Sequence, residues 1–182
     1  MTFDNQKWES LNKEPILVKK PWFEVFLEEV RLPDGKIVPE YYGIEMPHYT
    51  AVFAVTAENK IIVLRCYRHA IGEVTLTMPG GMIEKGESPL AGIQREFLEE
   101  TGYMAKNWKS LGSFVGNSTR GCGTYHLFFA TGAYSVQEPD SGDLEELELL
   151  LWKQQQVEEA LDEGQAKSLG VASMLLLGLR CL

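Results

Sequence analysis

Three glutamates in the middle of the sequence are the residues best placed to do chemistry. Glu96, Glu99 and Glu100 are spaced so that, on an α-helix, they share one face about 100° wide. Like charges at this spacing repel by ~0.2–0.5 kcal/mol per pair, and the C-terminal end of a helix disfavours each anion by a further ~0.3–1 kcal/mol. A bound cation would relieve both effects. The alternative is a solvated acidic helix end in which Arg95 pairs locally.

Magnesium is the cation that such side chains favour. It is a hard ion that binds carboxylate oxygens, keeps several of its waters and bridges to substrate phosphates. Held on such a helix, it would neutralise charge that develops on a phosphoryl group and help to deprotonate an attacking water. The glutamates therefore predict a metal-assisted reaction at phosphorus.

The flanking residues predict the helix that would carry these glutamates, over 88–101. Ser88 can cap free N–H groups, Pro89 suits the first helical position, and Gly102 suits the end of the helix. An apolar stripe beside the acidic face predicts packing into a core; it consists of Leu90, Ile93 and Phe97. The preceding segment MPGGMIEKGE is rich in glycine, which permits tight bends and close approach of a ligand.

The rest of the sequence reads as strands, turns and two closing helices. Segments 22–32 and 36–46 flank the turn sequence PDG and predict a hairpin, and segments 49–57 and 60–67 predict two more strands. Later strands are predicted over 108–115, 124–131 and 144–152, with helices over 155–162 and 168–182. A mixed sheet packed with helices predicts an α/β layered domain.

Composition limits the partners that we expect. The 182 residues include 17 basic and 26 acidic side chains, for a net charge of −9, which disfavours nucleic acid as a partner. The three cysteines are widely spaced and show no metal-binding pattern, which fits a reducing compartment. The most apolar stretch, 171–179, is about half the ~20 residues that a membrane span needs. We expect a cytoplasmic protein with no membrane partner.

The glutamates belong to a wider set of spaced residues, which are Gly81, Glu87, Arg95, Glu96, Glu99, Glu100 and Gly102. This spacing resembles the Nudix box at all seven of its fixed positions. A chance match somewhere in the chain has a probability on the order of one in a million. Phe97 and Tyr103 stand where the family usually has aliphatic residues. The resemblance favours a metal site over the solvated helix end.

Membership of that family would imply a Nudix-type α/β/α sandwich with a mixed sheet, and a hydrolase. By this resemblance, Glu96 and Glu100 are principal ligands of Mg²⁺, for which Mn²⁺ can substitute. Glu99 is a ligand or activates the water, and the carbonyl of Gly80 completes the metal site. Glu87 and Arg95 would brace the loop against the helix, which preorganises the ligands.

Features outside the box resemble the ADP-ribose and nucleotide-sugar pyrophosphatases, over roughly residues 24–179. They are LPDG at 32–35, CYRHAIGE at 66–73 and a terminal LDEGQAKSLGVASMLLL. Arg68 matches an arginine that contacts substrate phosphate in that subgroup; the alternative is a surface arginine at a strand end. In that subgroup an acidic loop supplies the general base or an extra metal ligand, and Glu145 is our preferred candidate for the base over Asp143 and Glu146; the alternative is an acidic loop that is only solvated.

Two further substrate contacts are predicted. Gly81 belongs to the box, and Arg120 precedes the flexible sequence GCG at 121–123. For Arg120 the alternative is an ordinary hairpin connection. Thr77 and Gly123 differ from the residues usual in the subgroup, and they leave the nucleobase and the sugar open.

The sequence therefore predicts one Nudix hydrolase domain over 1–182. Residues 1–46 would form an antiparallel β extension that makes a homodimer, and residues 47–182 the catalytic core. The predicted reaction cuts the diphosphate bond of ADP-ribose or a nucleotide sugar into a nucleoside monophosphate and a sugar phosphate. The alternatives are a catalytically silent sensor of nucleotide sugars and a nucleoside-triphosphate pyrophosphohydrolase.

Overall fold

The computed structural model describes residues 6–142, 144 and 146–182. It divides into two compact units. The first contains the described part of Met1–His48 together with Val115–Thr124, and the second contains Tyr49–Phe114 with the described part of Tyr125–Leu182. Within the described residues, no helix is both long enough and apolar enough to cross a membrane.

An antiparallel sheet of β1 (Glu9–Lys19), β2 (Phe23–Arg31) and β3 (Ile37–Glu45) forms most of the first unit. The β2–β3 hairpin was predicted, and its turn is closed by the Gly35 N–H, which donates to the carbonyl of Leu32 at 2.9 Å. Strand β1 was not predicted, because its largely exposed sequence lacks clean alternation. Pro15 is tolerated in it because the register shifts between Pro15 and Leu17 on this edge strand.

A mixed sheet forms the centre of the second unit, with strand order β9-β4-β5-β10. Strand β4 (Tyr49–Thr56) is parallel to β9 (Gly121–Ser135), whereas β5 (Ile61–Arg68) is antiparallel to both β4 and β10 (Glu148–Trp152). Strand β6 (Glu73–Thr77) also pairs with β5, and both β7 (Tyr103–Met104) and β8 (Asn107–Asn117) pair with β9. The first residues of β9 and the last of β8 belong to the first unit.

Helices cover both faces of this sheet, because the buried strands are apolar on both sides. On one face Phe53, Ile61 and Val63 pack against residues of α2 (Gln154–Asp162) and α3 (Leu169–Leu179). On the other face Val52 and Ile62 pack against α1 (Pro89–Thr101). The predicted α/β layered sandwich with a mixed sheet is confirmed.

Several predicted bounds were wrong. The strand predicted over 144–152 begins only at Glu148, and the helix predicted over 168–182 ends at Leu179. Strand β6 was missed, since its sequence EVTLT is only five residues long. Its main-chain pairing with β5 overrides a weak local pattern.

Candidate active site

Helix α1 carries the three glutamates, and its ends are those predicted. The Ser88 hydroxyl accepts a hydrogen bond from the Ala91 N–H at 3.2 Å, and Pro89 occupies the first turn. At the other end Gly102 adopts the left-handed conformation, with φ of 71°, and its N–H donates to the carbonyl of Leu98. Ile93 and Phe97 are completely buried, which fixes the rotation of the helix about its axis.

The glycine loop, residues 78–82, runs along strand β4. The Val52 N–H donates to the carbonyl of Pro79, and the Thr50 N–H donates to the carbonyl of Gly81, both at 2.9 Å. Gly80 has φ of +150°, and a Cβ there would lie 2.1 Å from the carbonyl oxygen of Thr50. Because that oxygen belongs to the backbone, only glycine fits this position.

The same loop meets the acidic face of α1. The Gly80 N–H donates to the Glu100 carboxylate at 2.7 Å, and Glu100 is 7% exposed. A Cβ added to Gly81 would lie 2.5 Å from the Glu96 carboxylate. The loop and the helix, which were predicted to build one site, are therefore brought together.

Arg95 ties the helix to the chain that follows the glycine loop. Its Nε and Nη2 each lie 3.1 Å from an oxygen of Glu87, and Nη2 also donates to the carbonyl of Met82 at 3.1 Å. Its Nη1 donates to Glu96 at 2.9 Å and to Glu99 at 3.0 Å. A bidentate guanidinium fixes direction as well as distance. Arg95 thus braces the loop and offsets the repulsion between neighbouring carboxylates.

This contact also shifts the ionisation of both partners. The hydrogen bond from Arg95 is the main reason why the pKa of the Glu87 carboxyl is held below its ordinary value, against a weaker opposing effect of burial. In return, the hydrogen bond to Glu87 raises the pKa of the Arg95 guanidinium, and the charge of Glu96 acts in the same sense. Both groups are therefore charged at neutral pH.

The chemistry of the donor set suits a hard divalent cation. The carboxylates of Glu96 and Glu100 meet a loop whose glycines permit close approach, and carboxylate oxygens are the ligands that Mg²⁺ prefers. Within 6–142, 144 and 146–182, no group of at least three His, Cys, Asp or Glu side chains is arranged to hold an ion. In this structure one nitrogen of Arg95 binds oxygens of both Glu96 and Glu99.

Arg68 ends strand β5 on the face of the sheet that α1 covers. Side chains alternate along a strand, so Arg68 shares a face with Ile62, which packs in the cluster around Ile93 and Phe97. It is partly buried and lies opposite Glu73 in the register with β6. This placement agrees with a role on the catalytic side of the sheet.

Arg120 lies in the first unit and has partners there. Its Nη1 donates to the carbonyl of Tyr42 at 2.9 Å, and its guanidinium lies 5.7 Å from the ring centre of Tyr41. These contacts favour the hairpin connection that we considered as the alternative. The predicted substrate contact of Arg120 stays a prediction.

The candidate base Glu145, like its neighbour Asp143, lies outside the described residues. Glu146 is described, and it lines a cavity of about 780 Å³ together with Tyr67 and Val74. The ion pair of Arg65 with Glu148, at 2.6 Å, belongs to the same cavity. No sequence pattern pointed to this pair, because its partners lie 83 positions apart.

Thr50 also helps to build the site, although no sequence pattern pointed to it. Thr50 is buried in an apolar strand. Its N–H donates to the carbonyl of Gly81, and its hydroxyl lies 3.3 Å from the carbonyl of Pro89 at the start of α1. Strand β4 thus contacts both the loop and the helix through one residue.

Comparison with known proteins decides the family. The model of the NUDIX domain matches residues 46–169, which include the glycine loop, the helix and Arg95. This chain belongs to the Nudix family. The sequence-based predictions of a Nudix protein and of a hydrolase are thereby confirmed.

Relatives with similar sequences narrow the subgroup. The Nudix chain is 32% identical to the ADP-ribose pyrophosphatase of Bacillus subtilis (strain 168) over 137 residues, which cover 75% of this chain and 73% of that protein. It is 33% identical to the methanol dehydrogenase activator of Bacillus methanolicus over 129 residues, 68% of this chain and 69% of the relative. The predicted resemblance to the ADP-ribose pyrophosphatase subgroup is confirmed.

A solved structure supports the fold. The chain superposes on an ADP compounds hydrolase with a TM-score of 0.80 and 21% identity, over 94% of this chain and 92% of that one. At this identity the likeness concerns the fold alone. It agrees with the sandwich of a mixed sheet between helices described above.

Proposed function

We propose that this Nudix protein hydrolyses the diphosphate bond of ADP-ribose or a related nucleotide sugar. Water adds to one phosphorus, the bridging P–O bond breaks, and the products are a nucleoside monophosphate and a sugar phosphate. The observation that carries the proposal is the approach of Glu96 and Glu100 to the glycine loop at Gly80 and Gly81. The 32% identical relative named for ADP-ribose supports the choice of substrate.

The proposed metal ligands are Glu96, Glu99 and Glu100 with the carbonyl of Gly80. Mg²⁺, or Mn²⁺ in its place, would supply charge neutralisation at the diphosphate and a lower pKa for the attacking water. Glu87 and Arg95 would hold these ligands in place, and Gly81 would leave room for the diphosphate beside the helix. Such supporting residues matter because misplaced ligands cost affinity.

Arg68 is the proposed contact to the substrate phosphates. It lies on the face of the sheet covered by α1, and a guanidinium matches the geometry of phosphate oxygens. We keep Arg120 as a proposed contact of lower rank, because its guanidinium already binds the carbonyl of Tyr42. Substituting each arginine by Lys separates them: Arg68→Lys should raise KM for ADP-ribose about tenfold, and Arg120→Lys should raise it less.

Glu145 is the proposed general base. Its segment is acidic, and an acidic loop supplies the general base in the subgroup that this sequence resembles. A positioned base contributes ~10²–10⁴-fold to the rate. Glu145→Gln should therefore lower kcat at least a hundredfold, whereas Glu146→Gln should have a smaller effect. Unchanged turnover in Glu145→Gln would remove this assignment.

A substrate panel tests the reaction itself. The protein is incubated with ADP-ribose, other nucleotide sugars, dinucleotides and nucleoside triphosphates, with Mg²⁺ or Mn²⁺, and the products are separated by chromatography. We expect AMP and ribose 5-phosphate from ADP-ribose, and almost no products with Glu100→Gln, which keeps an acceptor for the Gly80 N–H but removes the charge.

Three other outcomes would contradict the proposal. Faster turnover of triphosphates would favour the triphosphate pyrophosphohydrolase. Binding of a nucleotide sugar without turnover would favour the silent sensor. Failure to cleave any diphosphate with either metal ion would refute the hydrolysis of these substrates.

We also propose that the first unit forms a homodimer. Its strand β1 exposes the apolar run Ile16, Leu17 and Val18, each at least 44% exposed, and Trp22 nearby is 63% exposed. An edge strand with exposed apolar residues favours pairing with another chain. Light scattering on Leu17→Lys and the wild type should give monomer and dimer masses respectively.

A further inference from the structure

Residues 136–140, which we call the anchor segment, are hydrogen-bonded to the C-terminal end of helix α1. They precede the acidic loop that contains Asp143, Glu145 and Glu146. The N–H groups of Val136 and Gln137 donate to the carbonyl of Gly102 at 2.9 and 3.3 Å, and the Asp140 N–H donates to the carbonyl of Glu99 at 2.8 Å. These bonds continue the pairing of β7 with β9, in which Tyr103 lies opposite Ser135.

The hydrogen bond from the Asp140 N–H satisfies a backbone carbonyl in the last turn of helix α1. The last four carbonyls of an α-helix lack partners within the helix. Leu98 receives the N–H of Gly102, whereas Glu99 receives the N–H of Asp140 from a distant part of the chain. Glu99, whose side chain is a proposed metal ligand, thus binds the anchor segment through its backbone carbonyl.

Gly102 makes this close approach possible. A Cβ at this position would lie 2.1 Å from the carbonyl oxygen of Gln137, a backbone atom that cannot move aside as a side chain can. Gly102 also has φ of +71°, which suits the end of the helix. The glycine therefore serves two purposes, the end of α1 and the contact with the anchor segment.

We propose that Gly102 and the Asp140 N–H are positioning groups that fix where the acidic loop starts relative to the carboxylates of α1. The acidic residues Asp143, Glu145 and Glu146 lie three to six positions after Asp140. The kinetic consequence rests on the proposed function, because a displaced general base matters only if this loop supplies one. A displacement of about 1 Å at a reacting group can lower a rate ~10²-fold.

Amide hydrogen exchange measured by NMR tests the attachment without any substrate. In the wild type we expect the Val136 and Asp140 amides to exchange much more slowly than in an unstructured peptide. Gly102→Ala should lose this protection. The control is Gly164→Ala, because Gly164 has a similar φ of +67° but nothing within 4 Å of an added Cβ. Gly164→Ala places an alanine at a positive φ without a steric clash, so the Val136 and Asp140 amides should stay protected from exchange.

Either of two exchange results would overturn the attachment. One is exchange of the Asp140 amide in the wild type at the rate of an unstructured chain. The other is wild-type protection of that amide in Gly102→Ala. If Gly102→Ala does not fold, Asp140→Pro replaces it, because proline lacks the N–H that donates to Glu99; this variant also loses the carboxylate and has a restricted φ. In Asp140→Pro, hydrogen exchange is then measured at the amides of Val136 and Gln137.

Kinetics on ADP-ribose test the positioning role. Asp140→Pro and Asp140→Ala both lose the carboxylate, but only the first loses the N–H. We expect kcat of Asp140→Pro to be at least tenfold below that of Asp140→Ala, with KM and the Mg²⁺ concentration for half-activation within about twofold. Equal kcat values would refute the positioning role. A wild type without turnover would refute the proposed function, while the exchange results would still decide the attachment.

Discussion

The contact of Gly81 with Glu96 gives the sharpest test of the site. Gly81→Ala adds one methyl group, which would lie 2.5 Å from the Glu96 carboxylate, whereas ordinary contacts begin at 3.4 Å. The carboxylate must therefore move by about 0.9 Å, the difference between these distances. The φ of Gly81 lies outside the left-handed region, so alanine adds no backbone strain there. Any change in Mg²⁺ binding without substrate should therefore come from the displaced carboxylate of Glu96.

The magnitude follows from the geometry that Mg²⁺ requires. Magnesium binds oxygen at ~2.0–2.1 Å and demands a nearly ideal octahedron, so a ligand displaced by almost 1 Å no longer fits. Disturbing the residues that orient metal ligands typically lowers affinity ~10–100-fold. We expect the same range for Gly81→Ala, which corresponds to about 1.4–2.8 kcal/mol of binding free energy. The free energy of unfolding should change little, because a flexible side chain gives way.

The assay is a Mg²⁺ titration of ADP-ribose cleavage, with calorimetric Mg²⁺ binding as an independent measurement. Gly170→Ala is the matched control, since it also replaces a glycine outside the left-handed region. Its added Cβ would lie 3.7 Å from the Ser168 hydroxyl, an ordinary contact. The control should keep the wild-type Mg²⁺ dependence. Wild-type Mg²⁺ affinity in a folded Gly81→Ala would refute Glu96 as a ligand at this loop, and a large loss of stability would show that Gly81 serves the fold.

Three further predictions concern the groups around the proposed metal ligands. Arg95→Lys keeps the charge but loses the planar guanidinium that binds Glu87 and Glu99. Chemical denaturation should therefore show a free energy of unfolding about 2 kcal/mol lower, and kcat/KM should fall at least tenfold. Unchanged values would mean that Arg95 only offsets charge. Because the pKa of Glu87 lies below its ordinary 4.5 in the folded protein, this residue stabilises the fold above pH 4.5, and the contribution is lost as pH falls through the lower folded pKa. Glu87→Gln should therefore show a weaker loss of stability between about pH 5 and 3, and an unaltered acid profile would contradict this cause. Chelation of divalent ions should abolish cleavage reversibly without unfolding the protein, because Arg95 already offsets the charge of Glu96. Loss of the circular dichroism signal on chelation would show instead that the metal ion stabilises the fold.

Local sequence was sufficient to predict helix α1. Ser88, Pro89 and Gly102 define its ends through interactions with the nearest turn, and Ile93 and Phe97 define its buried face through the period of 3.6 residues. The pattern of Gly81, Glu87, Arg95 and the glutamates was specific enough to predict the family, which the domain match confirmed.

Other parts of the fold needed pairing partners that a local pattern does not reveal. Strand β6 exists because it pairs with β5, and strand β1 because it pairs with β2. Backbone hydrogen bonds use groups that every residue except proline carries, so a short strand leaves little trace in the identity of its side chains. The same holds for the ion pair of Arg65 with Glu148, whose spacing of 83 positions has no local signature.

For Glu96, Glu99 and Glu100, the sequence by itself determined that they share one helical face and belong to a Nudix box. Only the tertiary structure decided what lies against that face. It brought the Gly80 N–H to Glu100, the Cα of Gly81 beside Glu96, and the Asp140 N–H to the carbonyl of Glu99. The physical reason is that these contacts are made largely by backbone atoms, whose positions depend on how the sheet and helix pack and not on which side chains they carry.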